Sequence, residues 1–142
     1  MKINLVLLFL FTICVVTASF AQNEVKISKL DNLRLIKVLN SSELIAENIK
    51  QGLSVKVYRV NNGTGSAGFP NSEVSHNILI AVSEMDEEPD QNLFEIGPFY
   101  NPEFIKWTGG KESQKEFEIE YGVYQSRKSI KLKINIDELK LE

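Results

Sequence analysis

The sequence predicts an all-β fold, an antiparallel β-sandwich of about eight short strands with one short helix in a crossover. Three observations carry that expectation. Phe117, Ile119, Tyr121 and Val123 alternate with polar or small residues, and after a polar break Ile130, Leu132, Ile134 and Ile136 alternate with Lys131, Lys133, Asn135 and Asp137. A period of two marks strands with one buried and one solvated face. Short apolar runs elsewhere are separated by clusters of Gly, Pro, Asn and Ser, which punctuate β-structure. The only cysteine, Cys14, lies in the apolar N-terminal stretch. The rest of the chain must therefore be held by an apolar core rather than by disulfides. A closed β-barrel is the alternative. Uneven strand lengths and the crossover helix favour the sandwich.

Residues 1–21 have the layout of a signal peptide. Lys2 precedes a nearly unbroken apolar run over 3–16, and Ser19-Phe20-Ala21 offers small residues at a cleavage site. The run is short for a membrane span. The expected product begins at Gln22 and forms one domain over 22–142, secreted or periplasmic, with no membrane span left after cleavage. The formal charge of the whole chain is −3. No basic stripe interleaved with aromatics is present, which argues against nucleic acid as a partner.

Along 22–142, residues 25–30 alternate as a first strand, and Asp31-Asn32 reads as a turn. Residues 33–39 (L-R-L-I-K-V-L) suit a more central strand. Asn40 with Glu43 three residues on resembles a capping box, Leu44, Ile45 and Ile49 share a helical face, and Gly52 follows. The spacing therefore predicts the short helix over 41–51. Residues 53–60 alternate cleanly, 61–75 form a loop, and 78–82 make a short buried strand. An acidic loop over 84–90 leads to an edge strand over 93–96 that ends at Gly97-Pro98. Residues 99–107 are dense in aromatics, and 108–111 read as a turn into the final hairpin. Keeping one face apolar allows Val123 to pair with Ile130, or a two-residue slip that sets Glu118 against Lys133.

Several residue sets raise chemical possibilities. Gly63-Thr64-Gly65-Ser66-Ala67-Gly68 matches a phosphate-binding glycine pattern, but Phe69-Pro70 follows where a helix should open, so a loop is expected. Asp86, Glu88 and Asp90 alternate like the start of a calcium loop, and Ca²⁺ is the one cofactor suggested. Gly97 stands where the bidentate glutamate of an EF-hand is required. Tyr100 and Trp107, with Phe94, Phe99 and Phe104, are candidates for a platform that stacks on a sugar or a peptide, or for core. His76 is the sole histidine. A nucleophile pair with Ser66, Ser72 or Ser75 would depend on it, and no nucleophile elbow accompanies those serines.

The function expected is that of a non-catalytic binding domain recognising a protein or a glycan through its loops. The alternative is a calcium-dependent carbohydrate-binding module or a small carbohydrate-active enzyme, since abundant carboxylates leave glycosidic chemistry open. Oligomeric state is left open.

Overall fold

The computed structural model describes residues 27–50, 52–68 and 73–142. The chain divides into two units, Met1–Asp31 and Asn32–Glu142. The expected signal peptide over 1–21 and residues 25 and 26 of the expected first strand lie outside the described residues. The remainder of that strand is not formed. Residues 27–30 carry no regular structure, and Ile27 is 94% exposed.

The second unit runs α1 (Leu33–Ser41), β1 (Ser42–Lys50), β2 (Leu53–Thr64), β3 (Val74–Glu84), β4 (Gln91–Tyr100), β5 (Glu103–Lys111), β6 (Gln114–Tyr121), β7 (Lys128–Ile134) and β8 (Leu139–Leu141). The strands form two antiparallel four-stranded sheets, β1-β2-β3-β4 and β5-β6-β7-β8. The architecture is the expected all-β sandwich, not a barrel. Each sheet is a meander of consecutive hairpins. The chain changes sheet once, at Asn101-Pro102, where Asn101 takes a φ of +42° and Pro102 is buried.

The sheets meet along one core. Val55, Val57, Ile78, Ile80 and Val82 face Phe117, Ile119, Leu132 and Ile134, all essentially inaccessible. Each such side chain is worth about 1.5–3 kcal/mol on burial. Phe104, Trp107 and Phe117 pack against one another, the two phenylalanines stacked and the indole tilted to both, with ring centroids 5.2–6.1 Å apart.

The assignments over 33–51 are reversed. The expected strand over 33–39 is α1, and the expected helix over 41–51 is β1. The helix cap is Asn32, whose Oδ1 accepts from the Leu35 amide at 3.0 Å. Asn32 had read as a turn residue. In β1 the pairing shifts between Leu44 and Ala46, so Ile45 is an extra residue. That bulge changes the phase of the alternation and produces the helix-like spacing of Leu44, Ile45 and Ile49. Gly52, with φ +77°, closes the hairpin into β2 rather than ending a helix.

Strands β2, β3 and β4 sit where expected but run longer. Gly97-Pro98 does not end β4, which continues to Tyr100 past a cis peptide and a shift of pairing between His76 and Ile78 of β3. The expected turn at 108–111 belongs to β5, and the reversal comes at Glu112-Ser113. Gly110 makes this possible. Its φ is +137°, and a Cβ there would press on the Gln114 carbonyl and lie 2.9 Å from the Lys115 Cα.

The final hairpin keeps the predicted faces but takes neither predicted register. Phe117 pairs with Leu132, Glu118 with Lys131 and Tyr121 with Lys128. Gly122 decides this. Its φ of +114° suits a loop, and its amide donates to the Tyr100 carbonyl at 2.7 Å. That bond keeps Gly122 in the loop between β6 and β7, whereas a register pairing Val123 would carry it into the strand.

Candidate functional site

The residues singled out from sequence are not gathered at one place. The acidic loop joins β3 to β4 at the end where Ser83 pairs with Gln91, whereas Tyr100 pairs with Ser75 at the far end. Ten strand residues separate the two ends by about 30 Å. The loop is fixed by its backbone: the Glu84 amide donates to the Asp90 carbonyl and the Met85 amide to the Gly52 carbonyl, both at 3.0 Å. The side chains of Asp86, Glu88 and Asp90 are exposed. Among the described residues no group of three or more His, Cys, Asp or Glu side chains is placed to hold a metal ion.

Trp107 lies on the inner side of β5, half-buried against Phe104 and Phe117. Phe94, Phe99 and Phe104 likewise pack on the core. Tyr100 is separate from them. A hydrogen bond with Glu73 pushes its phenol above the usual range. Ser66 Oγ accepts from the Ser75 amide at 2.7 Å, and Ser75 Oγ accepts from Asn62 Nδ2 at 3.2 Å. His76 Nδ1 is buried without a hydrogen-bond partner among the described residues. Burial, reinforced by the Arg59 guanidinium and opposed by Glu43, holds the imidazole below its ordinary range. Ser72 lies outside the described residues.

The feature that sequence reading missed is a face rather than a loop. Strand alternation and the observed registers place Leu44, Glu47 and Ile49 of β1, Ser54, Lys56, Tyr58 and Val60 of β2, Leu79, Ala81 and Ser83 of β3, and Gln91, Leu93 and Glu95 of β4 on the outer side of their sheet. Helix α1 crosses one end of it. Arg34 near the helix start donates to Glu95 on β4 at 3.0 Å, and the helix runs directly into β1 at Ser42. Nine helical residues span about 14 Å, and three strand spacings also span about 14 Å, so the helix is just long enough to cross from one edge to the other. Val60 and Leu79, on the outer side but only 5% and 6% exposed, mark where the sheet is covered.

Beyond the helix the face is open. It holds a shallow groove of about 600 Å³ lined by Ser54, Lys56, Ala81, Ser83, Gln91 and Leu93, among others. Leu93 on its lining is 61% exposed, and Leu44 and Ile49 elsewhere on the same face are 49% and 48% exposed. Its charges are matched: Lys56 pairs with Glu47 at 3.3 Å, and Glu95 with Arg34. The outer side of the other sheet is a charge ladder. Lys106 pairs with Glu118, Lys133 with Glu116 and Glu142, and Glu118 opposes Lys131.

A smaller hollow of about 390 Å³ opens at the end of the sandwich near the acidic loop, lined by Gly52, Leu53, Glu84, Glu112, Ser113 and Ile136. No helix among the described residues is long and apolar enough to cross a membrane.

Comparison with protein-family models, with curated proteins and with solved structures finds no match to this chain.

Proposed function

We propose that this chain is an exported, non-catalytic recognition domain that binds a protein partner through the outer face of the β1–β4 sheet. The carrying observation is the contrast between the two outer faces. One presents a ladder of paired, partly exposed charges, while the other holds a groove with a single ion-paired lysine and the exposed Leu93 on its lining, on a face that also exposes Leu44 and Ile49. Depletion of unpaired charge with apolar and amide groups around a depression is what the centre of a protein interface requires.

The same face favours a protein over a glycan. Sugar rings are held by aromatic faces, and here Phe94, Phe99, Phe104 and Trp107 are turned into the core, while Tyr58 on the outer side does not line the groove. The groove floor instead offers Ala81, Ser54 and Ser83.

The test uses purified protein on arrays of peptides and of glycans, followed by titration against any hit. Ala81→Arg and Ser54→Arg place a bulky cation in the groove without touching the core. The expected result is a polypeptide ligand whose affinity falls at least tenfold, about 1.4 kcal/mol, in either variant while thermal melting is kept. Ligand binding unaffected by both substitutions, or glycan binding that depends on Tyr100 or Trp107, overturns the proposal.

A further inference from the structure

Among the described residues each sheet ends in two edge strands, β1 and β4 in one and β5 and β8 in the other. An open edge offers unpaired amides and carbonyls to any other strand, and proteins blunt such edges with bulges, short strands, charge or proline. Three of these four edges are blunted. Strand β1 carries the bulge at Ile45, with Glu43 and Lys50 near its ends. Pairing along β5 is broken twice, between Phe104 and Lys106 and between Trp107 and Gly109. Strand β8 has only three residues.

Strand β4 is different over 91–96. Its ladder to β3 is unbroken from Ser83↔Gln91 to Ile78↔Ile96. The segment Q-N-L-F-E-I holds no glycine, proline, lysine or arginine. Its one charge is already satisfied, since Glu95 accepts from Arg34 at 3.0 Å and from Asn77 at 2.6 Å. Leu93 is 61% exposed in the middle of this stretch. Gly97-Pro98 blunts only the remainder of the strand.

We infer that residues 91–96 are a self-association edge, and that the occupant is β4 of a second copy of this chain, antiparallel across a two-fold axis. The segment is self-complementary. An axis through Leu93 sets Leu93 opposite Leu93 of the second copy and Gln91 opposite Glu95 of the second copy. Outer residues then face outer residues, the two exposed leucines bury each other, and no like charges stand directly opposed. Closed two-fold association of this kind is the commonest way for a chain to satisfy a repeated surface. The product is a continuous eight-stranded sheet in which the two outer faces, each with its groove, become one surface. The inference goes beyond the recognition role proposed above and stands without it.

The experiment is sedimentation velocity on the purified protein over a concentration series, its N-terminus fixed by mass spectrometry. A concentration-dependent dimer is expected. Leu93→Lys and Leu93→Glu each set like charges opposite one another on the axis and should weaken self-association at least tenfold, while the melting curve at a dilution where wild type is monomeric stays in place. Mixing the two variants should restore a heterodimer, because only at residue 93 does the axis bring lysine against glutamate. Leu141→Lys on β8 should leave the dimer unchanged. A wild-type protein that stays monomeric through the series overturns the inference. So does a dimer indifferent to Leu93→Lys, or a mixture of variants that stays monomeric. None of these outcomes bears on the Ala81→Arg test, so the two proposals fail separately.

Discussion

Arg127 should hold the β5–β6–β7 sheet together at its loop end, and its removal is the sharpest stability test the fold offers. Glu103 of β5 and Glu120 of β6 stand directly opposite, which places like charges across the strand pair. Arg127, 16% exposed, reaches both: Nε donates to Glu120 at 2.6 Å, and the second terminal nitrogen lies 3.5 Å from Glu103. Arg127→Met keeps the aliphatic stem and deletes the cation. The charge-assisted bond to Glu120, largely shielded, is worth about 1.5 kcal/mol. The contact with Glu103 is half exposed and adds only a few tenths of a kcal/mol. The two carboxylates then face each other unneutralised, for a further cost of about 0.2–1 kcal/mol. The sum is about 2 kcal/mol, or a fall in Tm of about 8 °C at about 4 °C per kcal/mol for a domain of this size. Far-UV circular dichroism melts at low salt measure it. Glu103→Gln in the Arg127→Met background should recover part of the loss, because it removes the repulsion. A Tm change under about 2 °C, or no recovery in the double variant, would refute the reasoning.

Core and backbone predictions follow the same logic. Ile119→Ala, at an inaccessible position, should cost about 2–5 kcal/mol in urea denaturation, and Ile130→Ala, half-buried, distinctly less. Gly110→Ala should prevent normal closure of the β5–β6 hairpin, since its Cβ would press on the Gln114 carbonyl. Gly65→Ala, with φ +77° and nothing within 4 Å, should cost only about 1 kcal/mol. His76 is held below its ordinary pKa, so the unfolded chain binds more protons between the folded value and 6.5. Its contribution is complete above 6.5 and is lost as pH falls through the folded pKa. Wild-type Tm should therefore fall from pH 7 towards 5.5 more steeply than that of His76→Gln, and equal slopes would count against the burial of that imidazole.

Much of the sandwich was legible because side-chain parity is a local property. Phe117, Ile119, Leu132 and Ile134 point inward in any register that keeps the alternation, and all four are buried. The runs at 53–60 and 78–82 are read correctly for the same reason. The register itself was not legible. Registers two residues apart preserve the same faces, and the choice fell to the positive φ of Gly122 and its bond to Tyr100, a residue of the other sheet. The reversed reading of 33–51 has a comparable cause. Short aliphatic segments satisfy both periods, and the bulge at Ile45 disguised a strand as a helix.

The sequence by itself determined the layered all-β class and the inward side of the central strands, because alternation and turn residues act within a few positions of one another. Only the tertiary structure decided which surfaces stay open. Trp107 and the phenylalanines on either side of the sheet change fill the core, while Leu93, Ile49 and Leu44 are left outside on a sheet that α1 covers at one end only. That division depends on how far a nine-residue helix reaches across four strands, a distance no local pattern encodes.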